Sequence, residues 1–168
     1  MKIYIAGKVS NNSHFGTHDW RDGFCAELAE LSGLELESLD PLKIQTNKMK
    51  PEDIFAKDCY LISESDVVVV YLSDDISVGG SQEILIAKYF NKPVIGLAPL
   101  GGKFNGNSRK IGGQMVENWR DPFVFSTCDT VCNDIESVAR VLKNLDSLEV
   151  KNLDMIKNER NRFSEEIP

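Results

Sequence analysis

Residues 65–97 read SDVVVVYLSDDISVGGSQEILIAKYFNKPVIGL and carry the strongest fold signal in the chain. Residues 67–72 are continuously apolar and mostly β-branched, which is typical of a central parallel strand covered on both faces. A glycine-rich turn follows, then a helix predicted over residues 81–90 and a second buried strand over residues 93–97. The stretch therefore predicts a βαβ unit, and ligands of open α/β sheets bind at the carboxyl ends of such strands.

The rest of the chain extends this alternation of strands and helices. The predicted strands cover residues 2–6, 34–39, 67–72, 93–97 and 123–126, and the predicted helices begin at Asp19, Pro51, Ser81 and Asp129, with a glycine-rich loop at residues 101–113. This order predicts a single α/β domain with a doubly wound, mostly parallel five-stranded sheet, flavodoxin-like order 2-1-3-4-5 and helices on both faces. The domain should span residues 1–146, and the charged tail at residues 147–168 should fray or dock on a neighbouring subunit.

Composition and charge narrow the function classes. Of the 168 residues, 42% are hydrophobic and 27% are charged, which is ordinary for a globular protein. The net charge of −7 argues against a nucleic-acid polymer as partner, because phosphate backbones are bound by basic surfaces. No apolar run approaches the roughly 18 residues of a membrane span. We therefore expect no membrane contact. The four cysteines lack the spacing of metal ligands, so we expect no metal site and reduced cysteines, as in a cytoplasmic protein.

Glu83 is the first candidate for chemistry, because it follows the glycine-rich turn in the first turn of the predicted helix. Unpaired N–H groups and the helix dipole favour the ionised carboxylate at such a position. An ionised carboxylate at a ligand-binding edge can act as a nucleophile on an electrophilic carbon. The alternative is an ordinary acid at a helix N-terminus that contributes only a few tenths of a kcal/mol.

Two further residues can converge on Glu83. Asp58 lies in the helix before the central strand, and two carboxylates in unequal environments can divide the roles of anion and proton carrier. Tyr4 lies in the first strand at the predicted switch point, where its phenol could orient a carboxylate. Each has a structural alternative, since Asp58 could be a solvated helix acid paired with Lys57 and Tyr4 could be a core aromatic.

The loop after the first strand offers possible ligand contacts. Phe15 and Trp20 could stack on a base and Arg21 could pair with a phosphate, although the spacing of Trp20 and Phe24 also suits a core position. Gly7 ends the first strand at the edge where ligand is expected. Neither a GxGxxG fingerprint, nor a P-loop, nor a GxSxG elbow occurs, which argues against dinucleotide binding, P-loop chemistry and an α/β-hydrolase.

Together these residues resemble the nucleoside 2-deoxyribosyltransferase family, whose superfamily includes the 2′-deoxynucleoside 5′-phosphate N-hydrolases. The resemblance covers roughly the first hundred residues and is carried by KIYIAG (2–7), DWR (19–21), Asp58, SDVVVVYL (65–72), VGGSQEI (78–84) and NKPVI (91–95). It implies that Glu83 attacks the anomeric carbon of the sugar, that Asp58 contacts the sugar and carries a proton, and that Tyr4 positions Glu83. It implies no metal ion or organic cofactor.

One position departs from the transferase pattern. Family transferases often carry an aspartate six residues before the glutamate, whereas this chain has Ser77 there, and the resemblance links a serine at that position to a 5′-phosphate. A hydroxyl beside the backbone N–H groups of Gly79 and Gly80 would suit such an anion. The family also implies a homo-oligomer in which a neighbouring subunit completes the pocket, and Met115 and Asn118 are the candidates for that contribution.

Three functions therefore stay open from the sequence. The first is transfer of the sugar between bases of 2′-deoxynucleosides through a covalent glycosyl-glutamate intermediate. The second is hydrolysis of the N-glycosidic bond of (deoxy)nucleoside 5′-monophosphates. The third is a non-catalytic sensor of nucleotides or nucleotide-sugars on the same fold, since a fold does not fix a function.

Overall fold

The computed structural model describes residues 1–7, 20–44, 50–72 and 76–166. The strands and helices of these residues are, in chain order, β1 (Lys2–Gly7), α1 (Trp20–Ser32), β2 (Glu37–Ser38), α2 (Pro51–Glu64), β3 (Val67–Tyr71), α3 (Val78–Tyr89), β4 (Val94–Leu97), β5 (Ser108–Ile111), β6 (Gln114–Glu117), α4 (Pro122–Thr127), β7 (Thr130–Cys132), α5 (Ile135–Lys143) and α6 (Asp154–Glu166). No helix in these ranges is long and apolar enough to cross a membrane.

Five strands form a parallel sheet in the order β2-β1-β3-β4-β7, which confirms the predicted order 2-1-3-4-5. All five residues of β3 are buried, as the run of valines predicts for a central strand. Because Gly7 pairs with Tyr71 in the register of β1 and β3, the carboxyl ends of these two strands lie side by side. This is the switch point at which a ligand was expected.

Helices cover both faces of the sheet, so the doubly wound architecture is also confirmed. One apolar core forms where α1 and α5 pack on the sheet, and it includes Phe24 and Leu142. The other core lies beneath α2, α3 and α4 and includes Ile62, Ile84 and Val124. Because a core covers each face of the sheet at β3, this strand has no solvent-exposed face and needs no polar residues there.

The fifth strand lies elsewhere than predicted. Residues 123–126 belong to helix α4, whose N-terminus is capped by Asp121 through its Oδ1, which accepts from the N–H groups of Phe123 and Val124 at 3.1 Å each. The edge strand is β7 instead, and the helix predicted from residue 129 begins only at Ile135, where Asp134 is the cap. The Asp-Pro pair at the start of α4 favours a helix over a strand.

The glycine-rich residues 101–113 are not a plain loop as predicted. They lead into an antiparallel hairpin of β5 and β6, which turns at Gly112 and Gly113 with φ of 54° and 86°. A two-residue turn of type I′ has positive φ at both positions, which glycine adopts without strain. Every residue of both strands is exposed.

The tail begins with a firm attachment and ends in an exposed helix. The backbone N–H of Lys151 donates to Asp129 at 2.7 Å, and its ammonium donates to the carbonyls of Ser126 at 3.0 Å and Cys128 at 2.8 Å. Asp129 also forms a fully buried ion pair with Lys88 and accepts from the N–H of Val94 at 2.7 Å. Helix α6 follows, and almost all of its described side chains are exposed.

Candidate active site

A cleft of about 400 Å³ opens at the carboxyl edge of the sheet, beside the ends of β1 and β3. The residues that line it are Gly7, Arg21, Pro41, Leu42, Ile54, Lys57, Asp58, Ser77 and Glu83. The end of β1, the helices α1 and α2, helix α3 with its N-cap residue, and the segment that follows β2 all contribute to this lining. The cleft therefore lies where α/β sheets bind small molecules.

Glu83 lies in the second turn of α3 and not in the first. The helix begins at Val78, three residues before the predicted start, because Ser77 caps it and its Oγ accepts from the N–H of Gly80 at 3.0 Å. The helix dipole acts mainly within the first turn, so it does not hold Glu83 ionised as expected. Burial and the charge of Asp58 instead raise the pKa of Glu83 to about 7.

Tyr4 is buried in β1 and its phenol forms a hydrogen bond with the side chain of Glu83. Burial first, and the charges of Glu83 and Asp58 next, raise the pKa of Tyr4 well above its ordinary value. The phenol therefore stays protonated, and its O–H donates a hydrogen bond to the carboxylate of Glu83. This hydrogen bond lowers the pKa of Glu83 and opposes part of the effect of burial.

Asp58 faces the same cleft from α2. Burial raises its pKa, while the charges of Lys57 and Arg21 lower it. Its Oδ1 is buried and has no hydrogen-bond partner among the residues that the structure describes. The structure thus brings Glu83, Asp58 and Tyr4 into one cluster in which at least one carboxyl is poised to hold a proton near neutral pH.

Arg21 brings a positive charge to this cluster. Its side chain is 4% exposed, Nε donates to the carbonyl of Ile5 at 3.0 Å, and Nη2 donates to the carbonyl of Gly7 at 2.8 Å. Within the described part of the chain Nη1 is buried without an acceptor. The guanidinium is thus fixed at the end of β1, and its charge lowers the pKa of both Glu83 and Asp58.

Trp20 is placed in the core and does not line the cleft. Its ring packs against those of Phe24 and Tyr71, with centroids 6.0 and 5.2 Å away. A Cβ at Gly7 would lie 2.9 Å from Trp20 Cζ2, so glycine is required there for the indole to reach the strand end. Its helical spacing with Phe24, which suited a core position, explains the placement. Phe15 lies outside the described residues.

Ser77 and the two glycines after it form the cleft wall at the start of α3. A Cβ on Gly79 would lie 3.9 Å from both Glu83 Oε1 and Ser77 Oγ, so the missing side chain leaves the approach to these oxygens open. Gly80 is buried, and a Cβ there would come within 3.0 Å of Ile76 Cγ1. Because Ser77 Oγ accepts from Gly80, its own proton is left to donate into the cleft.

Met115 and Asn118 are not brought to the cleft of their own chain. Met115 lies in β6 and is 59% exposed, and Asn118 follows this strand with a φ of 52°. Neither residue lines the cleft. Their predicted contribution to a neighbouring subunit's pocket stays a prediction.

Four lining residues were not singled out from the sequence as site residues, namely Pro41, Leu42, Ile54 and Lys57. The Asp-Pro pair at residues 40–41 indicated a turn, but the sequence did not predict that side chains of this turn would face the cleft. Lys57 was considered only as an ion-pair partner of Asp58. Among the described residues, no group of three or more His, Cys, Asp and Glu is placed to hold a metal ion.

Comparisons with known proteins bear on the fold. No protein-family model matches the chain, and no curated protein does so either. Among solved structures, a conserved protein from Enterococcus faecalis V583 is 16% identical with a TM-score of 0.60, and the match covers 86% of this chain and 98% of that one.

Two similar structures are described as 2-deoxyribosyltransferases. The one from Bacillus psychrosaccharolyticus is 16% identical with a TM-score of 0.54, and the match covers 90% of this chain and 98% of that one. The one from Leishmania mexicana is 18% identical with a TM-score of 0.54, and the match covers 84% and 97%. The chain therefore shares the fold of these 2-deoxyribosyltransferases.

Proposed function

We propose that this protein is an enzyme that cleaves the N-glycosidic bond of a 2′-deoxynucleoside and transfers the sugar to another base, with Glu83 as nucleophile. The observation that carries the proposal is the hydrogen-bonded pair of Tyr4 and Glu83 beside Asp58, in a cleft at the switch point of the sheet. The shared fold with two 2-deoxyribosyltransferases supports this choice over other reactions of paired carboxylates.

In the first step an oxygen of Glu83 bonds to the anomeric carbon of the sugar. The bond from that carbon to the base nitrogen breaks, its electron pair leaves with the base, and Asp58 supplies the proton that the base takes up. Burial raises the pKa of Asp58, and this direction supports the role, because a carboxyl that binds its proton more tightly than usual is better suited to act as a general acid. The positive charge that develops on the sugar is stabilised by the carboxylate of Glu83, as in retaining glycosidases.

In the second step an acceptor attacks the same carbon from the face that the first base has left. A nitrogen of the acceptor base bonds to the carbon, the ester bond to Glu83 breaks, and its electron pair returns to the carboxylate. The proton of the acceptor passes to Asp58, which restores the starting state. Tyr4 assists both steps by holding Glu83 in one orientation.

A second candidate function is N-glycosidic hydrolysis of (deoxy)nucleoside 5′-monophosphates, with water as the acceptor. It is favoured by Ser77, whose hydroxyl lines the cleft at the N-terminus of α3 beside the open position of Gly79. The buried guanidinium of Arg21 adds a positive charge to the same cleft. Both functions have a small-molecule nucleoside or nucleotide as partner.

We also infer that the protein works as a homo-oligomer. The hairpin of β5 and β6 exposes all of its residues, including the apolar Met115 and Val116, at 59% and 41%. A two-stranded hairpin is only marginally stable by itself, so a second copy packed on it would stabilise it. Met115 and Asn118 would then meet the neighbouring subunit.

The test is a product assay with purified protein. Deoxynucleosides and (deoxy)nucleoside 5′-monophosphates are each incubated with and without free adenine, and products are separated by chromatography. Glu83→Ala should lower turnover by orders of magnitude because the covalent step is lost, and Asp58→Asn should also impair turnover strongly. Glu27→Gln, on the exposed face of α1, is the matched control and should keep wild-type turnover.

The products separate the candidate functions. Deoxyadenosine that forms only when adenine is added supports the transferase. Free base that is released without an acceptor, and only from monophosphates, supports the hydrolase and a phosphate contact at Ser77. If no product depends on Glu83, the proposal of an enzyme fails and nucleotide binding without turnover becomes the function to test.

A further inference from the structure

One wall of the cleft is built from a short segment with no regular secondary structure, residues 40–44, which we call the 40–44 segment. Its residues Pro41 and Leu42 line the cleft. The carboxylate of Asp40 accepts from the N–H of Leu42 at 2.9 Å, and the carbonyl of Asp40 accepts from the N–H of Lys43 at 3.2 Å. These bonds fold the segment locally but do not attach it to the rest of the site.

The attachment comes from Lys57 in α2. Its ammonium donates to the carbonyl of Pro41 at 2.6 Å and approaches the carbonyl of Ile44 at 3.4 Å. Both carbonyls belong to the 40–44 segment, and an ammonium has three donors with which to reach them. A hydrogen bond from a charged donor is stronger than one between neutral groups. Lys57 also directly precedes Asp58, so one helical turn carries both the attachment and the acid.

We propose that Lys57 is a positioning residue, which ties the 40–44 segment to α2 and so fixes the wall of the cleft relative to Asp58 and Glu83. This inference rests on the proposed function, since it assigns the wall a role in holding the substrate of that reaction. The wall is apolar, with Pro41 and Leu42 beside Ile54 of α2. It suits the uncharged side of a substrate whose reacting bond faces the carboxylates.

The other ion pair of the segment is a weaker attachment. Lys43 contacts Asp22 of α1 at 2.6 Å, but both side chains are about half exposed, at 55% and 50%. Pairs that are exposed to water contribute little to stability. Lys43 therefore gives a matched control for the attachment, because it lies on the same segment, its replacement removes the same single positive charge, and it is not one of the residues that line the cleft.

Hydrogen exchange tests the attachment without any substrate. Lys57→Met is expected to speed exchange at the amides of Leu42 and Lys43 by roughly tenfold or more, as for the loss of a hydrogen bond from a charged group. Amides of β3 should exchange as slowly as in the wild type, which shows that the variant is folded. Lys43→Met should leave exchange at Leu42 within about threefold of wild type. Unchanged exchange in Lys57→Met, or equal acceleration in both variants, overturns the proposal.

Kinetics with the substrate that the wild type turns over test the second half of the proposal. A loosened wall weakens binding before and during reaction alike, so Lys57→Met should raise KM by roughly tenfold and change kcat by less than that. Glu27→Gln, on the exposed face of α1, should keep both constants. Faster exchange with an unchanged KM overturns the role of the wall in substrate binding. Faster exchange in a protein that turns over none of the substrates contradicts the proposed function but leaves the attachment by Lys57 standing.

Discussion

Replacing Glu83 with glutamine should stabilise the folded protein at alkaline pH and much less at acid pH. Burial and the charge of Asp58 raise the pKa of Glu83 from 4.5 to about 7 in the folded state. The folded state therefore holds the Glu83 proton more tightly than the unfolded chain does. The favourable contribution of this tighter proton binding to the free energy of unfolding is complete below pH 4.5 and is lost as the pH rises through 7.

The size of the effect follows from the two pKa values. A difference of about 2.5 pH units corresponds to about 3 kcal/mol, which the ionised Glu83 costs the folded state at pH 8.5. At pH 5 most of this cost has disappeared. A glutamine keeps the size of the side chain and an oxygen that accepts from Tyr4, so it removes the charge with little change in packing.

Urea unfolding at pH 5 and pH 8.5 measures the prediction. The free energy of unfolding of Glu83→Gln, relative to wild type, should increase between the two pH values by about 2–3 kcal/mol. Glu27→Gln on the exposed face of α1 should stay within about 0.5 kcal/mol of wild type at both. An equal gain at both pH values, or a loss of stability at pH 8.5, would refute the assignment of Glu83 as a half-buried carboxylate with a raised pKa.

Two further predictions concern the donor to Glu83 and the buried ion pair. Tyr4→Phe removes the hydrogen bond that lowers the pKa of Glu83, so the acid limb of kcat/KM against pH should move upward by about one to two pH units, and an unmoved limb contradicts the pairing. Asp129→Ala leaves the ammonium of Lys88 buried without its counter-charge, so the free energy of unfolding should fall by about 3–5 kcal/mol. A loss below about 1 kcal/mol in urea unfolding would show that water or another group replaces the carboxylate.

The sequence predicted the sheet well because its strongest signals are local. The run of β-branched valines in β3 is typical of a strand covered on both faces, and the helices between the strands indicated parallel crossovers. The errors lie at the edge, where β7 has only three residues and the aromatic residues of α4 imitate a strand. The N-cap at Asp121 and the proline that follows it favour a helix at these residues.

The candidate site could be predicted only in part, because it depends on how separate elements meet. Tyr4, Asp58 and Glu83 were each identified from the residues and from the family resemblance. The direction of the pKa shift at Glu83 was not, because it depends on a helix start three residues earlier and on a carboxylate from another helix. Lys57 and the 40–44 segment were missed, because no sequence pattern shows that a lysine donates to carbonyls 13 and 16 residues away.

Helix α3 carries two ionisable groups, the half-buried Glu83 and the fully buried Lys88, whose surroundings have opposite consequences. Glu83, in its second turn, lies near Asp58, so ionisation at this position opposes folding. Lys88, near its last turn, is paired with Asp129, whose carboxylate also accepts from the first residue of β4 and from Lys151 of the tail. The helix is thus fixed at the end that is remote from the cleft. This attachment holds the near end of the helix in place, so the carboxylate of Glu83 stays in the cleft although its ionisation there is unfavourable.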